Sequence, residues 1–302
     1  MKLSAHCNIK NPKTWKYPYL ESIQSFLDLC DEVVVVNGAP EDDGSIAEIQ
    51  KLRGAEKLKI IYEYWPDDWH WDQLGVSLNI GYQACTGDWA FKFDVDYIFN
   101  PEHAEYLKQL IYKCDKKRVP PKAISIRKYN FVLADRYFQK CRSPLLVNKR
   151  DYPKTCYGIN YETVDFISAI TEVENKNGYP LGPALTKHHQ LIIPSRAELY
   201  CYDFTFMTKA ELEKLRKYFD IAKARYEDPM MSERRETIVK NNALPKIRQM
   251  LVDRMCNFQF TKLEKISHHP FYMHEKLKNL TPDMLGARVF DWHPLNCGYL
   301  KK

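Results

Sequence analysis

Two aspartates one residue apart, Asp94 and Asp96, close the apolar run Trp89-Ala90-Phe91-Lys92-Phe93. If that run is a strand, alternation sends both carboxylates to one face at its C-terminal end. In open α/β sheets, ligands gather outside that edge. Paired carboxylates are hard oxygen donors, suited to a Mg²⁺ or Mn²⁺ ion that also takes phosphate oxygens. Two acids at a strand end also describe a solvated turn, so the surrounding elements decide what the pair means.

Two other stretches carry chemistry. Trp65-Pro66-Asp67-Asp68-Trp69-His70-Trp71-Asp72 sets three tryptophans in a polar loop. Such rings, Trp69 among them, stack on sugar faces or a base, or else pack down as a lid on the preceding strand. From Lys113 to Lys154 thirteen Lys or Arg face three Asp, a local +10 in a chain of net charge +6. Within it, Arg127-Lys128-Tyr129-Asn130-Phe131 interleaves cations with rings. That pattern fits acceptor or phosphate contact through Arg127 and Lys128, as in a nucleic-acid groove. It fits a half-buried strand or a solvated basic face equally.

The elements that must position these residues alternate. Lys2 to Asn8 reads as a strand, and Pro18 to Cys30 as a helix with apolar spacing at Leu20, Ile23, Phe26 and Leu27. Glu32-Val33-Val34-Val35-Val36-Asn37 is a β-branched run of the kind buried on both faces of a parallel sheet. After an acidic Gly loop, Ser45 is expected to cap a helix through Leu52. Lys57 to Tyr64 is a third strand, Gln73 to Cys85 a third helix, and Thr86-Gly87-Asp88 turns into the strand bearing the acids. Strand–helix alternation of this kind means a doubly wound, mostly parallel α/β sheet.

Beyond Pro101 the spacing predicts a helix to Cys114, a strand from Ala123 to Val132, and short strands and loops over 136–206. Helices follow from Lys209 to about Tyr226 and from Asn242 to Cys256, a C-terminal helical or irregular elaboration. The expected division is an α/β half at 1–115 and a second half with the C-terminal extension at 116–302, within one continuous domain.

A content of 45% apolar and 13% aromatic residues argues for a filled core and against disorder. No apolar run approaches the ~20 residues of a membrane helix. Nine scattered cysteines without a Cys-X-X-Cys pair, and no signal-peptide core, lead to the expectation of a soluble cytoplasmic protein. The absence of a Walker lysine loop and of a dinucleotide glycine fingerprint argues against P-loop and redox chemistry.

In order and spacing the chain resembles the GT-A glycosyltransferases, and within them the family 2-like enzymes. The residues that carry the resemblance are Pro18-Tyr19-Leu20-Glu21-Ser22-Ile23, Cys30 to Gly38, Asp42-Asp43-Gly44-Ser45, Asn79 to Trp89, and Asp94-Val95-Asp96. It covers about the first third of the chain well.

The resemblance implies a nucleotide-sugar, foremost a UDP-sugar, lying across the sheet edge near His6, Asn8, Asn37, Asp43 and Asn79. Asp94 and Asp96 would hold Mn²⁺ or Mg²⁺ on its diphosphate. Asp96 is the foremost ligand; the alternative for Asp94 is a contact with the ribose or sugar. Tyr97 stands where such enzymes often carry another acid, so a further ligand is sought downstream. His269 of Ser267-His268-His269-Pro270 is the preferred candidate. A base for the acceptor hydroxyl is sought among Glu162, Asp165 and Asp203.

The acceptor is expected to be a glycan or DNA carrying a modified base. The alternatives are a non-catalytic nucleic-acid-binding α/β protein and a nucleotidyltransferase.

Overall fold

The computed structural model describes residues 1–65, 71–118, 120–121, 123–133, 136–150, 156–157, 166–167, 191–192, 198–202, 261–262 and 266–279. The expected helices at 209–226 and 242–256 lie outside these residues. The first half alternates strand and helix as anticipated. It runs β1 (Leu3–Ile9), α1 (Tyr19–Leu29), β2 (Glu32–Asn37), α2 (Ser45–Ile49), β3 (Leu58–Tyr62), α3 (Trp71–Ala84) and β4 (Trp89–Lys92). There follow β5 (Tyr97–Phe99), α4 (Ala104–Asp115), β6 (Ala123–Leu133) and β7 (Arg136–Asn148). Short strands β8 (Cys156–Tyr157), β9 (Phe166–Ile167), β10 (Leu191–Ile192), β11 (Glu198–Tyr202) and β12 (Thr261–Lys262) precede a last helix, α5 (His274–Lys278).

Among the described residues one large sheet has the order β3-β2-β1-β4-β7-β6-β11-β5, with β10 on β6 and β12 on β7. The pairs β3–β2, β2–β1, β1–β4 and β6–β11 are parallel. The pairs β4–β7, β7–β6 and β11–β5 are antiparallel. The architecture is therefore a mixed α/β sheet whose N-terminal half is fully parallel. No helix of the described residues is long and apolar enough to cross a membrane.

Parity along the strands sorts two cores. Ala5, Cys7, Val33, Val35, Phe91 and Phe93 face the α1 side, whereas Val34, Val36 and Ala90 face α3 with Leu78, Tyr82 and Cys85. Val33 to Val36 are all fully buried, which is why that strand carries no polar alternation.

Two local details differ from the sequence reading. Ser45 is the first residue of α2, not its cap, which is Gly44; the Asp42 carboxylate braces the loop before the helix, accepting from Gly44 N (2.9 Å) and Ser45 Oγ (3.0 Å). Gly44 takes φ +86°, the left-handed region that only a residue without Cβ enters cheaply. The helix expected from Pro101 begins as a single 3-10 turn, Pro101–His103, capped by Asn100, whose side chain accepts from Glu102 N at 3.1 Å.

The N-terminal edge of the sheet is laced by hydrogen bonds. Glu32 accepts from Ser4 Oγ (2.5 Å) and Thr86 N (2.8 Å), and Ser4 Oγ accepts from Gly87 N (2.8 Å). Burial opposes the Glu32 charge, but these donors and Lys2 hold its carboxyl below the usual range. A Cβ on Gly87 would lie 2.6 Å from Ser4 Oγ and 2.8 Å from the Lys2 carbonyl. Gly87→Ala is therefore expected to cost about 1–3 kcal/mol, as overpacking against backbone does, measurable as a lowered urea midpoint at unchanged slope.

Candidate active site

Strand β4 ends at Lys92, before the acids, because the chain bends there. Phe93 N donates to His6 O at 3.0 Å, and Tyr97 N donates to Asp94 O at 2.8 Å, closing a reverse turn over Asp94–Tyr97. The expectation that strand alternation aims both acids to one face is corrected: Asp94 follows the strand and Asp96 lies inside the turn. Both side chains are partly accessible. Helix α1 holds the turn from the other side. The buried Ser22 hydroxyl faces the carbonyls of Tyr97 (2.6 Å) and Asp94 (3.3 Å), and Ser25 Oγ accepts from Phe99 N at 3.1 Å.

Lys92 is the group that sequence reasoning overlooked. It is 4% exposed at the end of a buried strand, and its Nζ sits 3.0 and 3.1 Å from the two carboxylate oxygens of Asp94. Lysine is seldom buried so completely without an anion, so a lysine inside an otherwise apolar strand run was the available signal. The Asp94 carboxylate is hemmed in by protein, although 46% of its side-chain surface stays open. Burial opposes its charge, but Lys92 and then Lys128 outweigh that and hold the carboxyl below the usual range.

Lys128 was expected on an acceptor-facing basic surface. The structure instead buries it on β6, with Nζ donating to Tyr97 Oη at 3.0 Å. Lys92 and Lys128 lie 5.8 and 5.0 Å from the centre of the Tyr97 ring. The side chain of Arg127, and Trp69 altogether, lie outside the described residues, as do Asp165 and Asp203.

His6, expected at the donor base, has no accessible surface. The even residues of β1 face α3, so its ring packs edge-on to Tyr82 at 6.0 Å and pairs in register with Lys92. It supports the edge from beneath. Burial, with the Lys92 and Lys149 cations, lowers its pKa from 6.5 to about 3. The sign follows: between these values the unfolded chain binds the extra proton, so stability is complete above pH 6.5 and falls as the solution is acidified. From pH 7 to pH 5 this residue alone is expected to remove about 2 kcal/mol, seen as a steeper pH dependence of melting than in His6→Gln.

The remaining donor-side residues gather at the C-terminal ends of β1 and β2. Asn37 is 1% exposed; its Oδ1 accepts from Ala39 N at 3.0 Å, and its Nδ2 has no hydrogen-bond partner among the described residues. Asn8 ends the inner face of β1, and Asn79 is half-buried on α3. Asp43 ties two loops together, accepting from Thr14 N (2.8 Å) and Ser45 N (3.2 Å).

His269 is 4% exposed and packs on the Phe131 ring at 4.6 Å. Its segment is moored to α1 by Tyr272 Oη on Asp28 (2.6 Å) and Lys276 on Glu21 (3.0 Å). Among the described residues no three His, Cys, Asp or Glu side chains converge as a metal site, so Asp94, Asp96 and His269 are not brought together as a ready ligand set.

Residues 18–156 match the family described as glycosyl transferase family 2. The search of curated proteins finds no match. Among solved structures the chain is similar to S. aureus TarS 1–349 in complex with UDP, at 15% identity and TM-score 0.44, over 86% of this chain and 73% of that one. A complex of the same fragment with UDP-GlcNAc gives 14% and 0.43, over 100% and 92%. The mannosyltransferase PcManGT from Pyrobaculum calidifontis, in complex with GDP-Man and Mn²⁺, gives 12% and 0.44, over 98% and 87%.

Proposed function

We propose that this chain, a glycosyltransferase by the family 2 domain that spans residues 18–156, moves a sugar from a nucleotide-sugar to an acceptor hydroxyl at the Asp94–Tyr97 turn. The observation that carries this reading is the turn itself. It holds two partly accessible acids at the sheet's C-terminal edge, one of them kept ionised by lysines, and its two ends, Asp94 and Tyr97, are bonded to Ser22 of α1.

The donor set fits a divalent cation in its chemistry. Carboxylate oxygens on a short turn suit Mn²⁺ or Mg²⁺, with phosphate oxygens and water filling the other positions. Asp96 is the ligand in this reading, because both oxygens of Asp94 are engaged by Lys92. When bound, such an ion neutralises charge on the departing nucleoside diphosphate.

The chain's own residues do the rest. Asn37, buried at the end of β2, shapes the donor-side loop through the bond from Ala39 N to its Oδ1. Asn8 borders the same edge on β1. Asp94, half open, accepts from a sugar or ribose hydroxyl. Asp165 or Asp203 is the proposed base for the acceptor hydroxyl, and a glycan or a modified nucleic-acid base the proposed acceptor.

The test is a donor-hydrolysis panel led by UDP-sugars, with Mn²⁺. One donor is expected to yield its nucleoside diphosphate. Release of pyrophosphate from nucleoside triphosphates would instead mark a nucleotidyltransferase, and no release from any donor would remove the enzyme reading.

A further inference from the structure

We propose that Lys92 and Lys128 form a grip on the donor's diphosphate that works without a metal ion, an inference that rests on the nucleotide-sugar reading above. The two lysines come from β4 and β6, which are separated in the sheet by β7, and they meet at Tyr97 on β5, which neighbours neither. Lys128 donates to the Tyr97 hydroxyl at 3.0 Å, and Lys92 holds Asp94 at 3.0 Å. Two buried ammonium groups and a phenol hydroxyl are thus assembled around the one carboxylate whose side chain remains 46% open.

A diphosphate is the ligand whose chemistry answers this assembly. Its oxygens take several donors at once, and lysines bind phosphate as compact point charges. The Asp94 carboxylate already fixes Lys92, so that long side chain needs little further ordering when the anion arrives. Burial strengthens each contact relative to a surface lysine. The acids then divide their work: Asp94 sets the lysine in place, and Asp96 would be the residue to hold a metal ion. The metal would add to an affinity that the lysines supply first.

The experiment is calorimetric titration of the full chain with UDP and GDP, in excess EDTA and again with Mn²⁺. Binding is expected to persist in EDTA and to strengthen with Mn²⁺. Lys92→Met and Lys128→Met should each weaken the EDTA-resistant binding about tenfold or more, with Lys92→Arg recovering part of it. Asp96→Ala should keep the EDTA-resistant binding and lose the Mn²⁺ increment. Binding that vanishes in EDTA while surviving with Mn²⁺ overturns the lysine grip and leaves the glycosyltransferase reading standing. Full EDTA-resistant affinity in folded Lys92→Met and Lys128→Met overturns it too. Should Lys92→Met fail to fold, Lys128→Met decides. Absence of binding by either nucleotide under both conditions, with donor hydrolysis also absent, removes both readings.

Discussion

Asp96→Ala is expected to lower metal-supported sugar transfer by about 10²-fold or more in kcat, the scale on which loss of a group stabilising transition-state charge is felt. The loss should appear in kcat and kcat/KM together, because charge on the leaving diphosphate grows only as the sugar–oxygen bond breaks. The fold should survive. The bonds from Tyr97 N to Asp94 O and from the Ser22 hydroxyl to the carbonyls of Asp94 and Tyr97 shape the turn and stay in this variant. A circular-dichroism spectrum and melting point close to those of the parent chain are therefore part of the expectation. Transfer at the parent rate in this variant would separate the turn from the chemistry.

Phe26→Ala is expected to be the most damaging single change for stability. Its ring stacks on Phe93 at 3.8 Å and 16°, meets Phe91 edge-on at 5.1 Å, and is fully buried with both. Removing it costs the transfer energy of the ring and leaves a cavity, about 3–5 kcal/mol in comparable cores. Melting should fall by roughly 10 °C. A functional consequence accompanies it, because Phe93 precedes Asp94 directly and Phe26 sits one turn beyond Ser22 on α1. Donor turnover in the variant should therefore be reduced even well below its melting temperature. A variant that melts with the parent would show that the aromatic cluster does not anchor α1 to the sheet.

The fold's first half was legible because its signals are local. Four consecutive valines can be satisfied only by a strand covered on both sides, and the helical spacing around Ile23, Phe26 and Leu27 fits α1 as found. The location of the acids at the sheet edge was legible for the same reason. What escaped depends on partners far away in sequence. The strand gives way to a turn because Tyr97 N folds back on Asp94 O, and that turn is held by Ser22 of α1, 72 residues before Asp94. His6 reads as a polar edge residue until β1 is placed over Gly81 and Tyr82, which bury it. Lys128 reads as part of a basic surface until β6 is brought opposite Tyr97. His269 stands beside a second histidine in sequence, yet its ring is claimed by Phe131.

The four residues between β4 and β5 join strands that stand far apart in the hydrogen-bonded order, with β7, β6 and β11 between them. Laid flat, four strand spacings of about 4.8 Å would separate them by about 19 Å. A link of that length that also contains a reverse turn reaches roughly 14 Å at most. The strands from β4 round to β5 must therefore bend into a hoop, with the acidic turn as its clasp. The circumference of a hoop is set by its number of staves and not by the clasp. A change that adds or removes a whole strand between β4 and β5 thus resets where Asp94 and Asp96 stand, whereas changes along β3, outside the hoop, leave the clasp where it is.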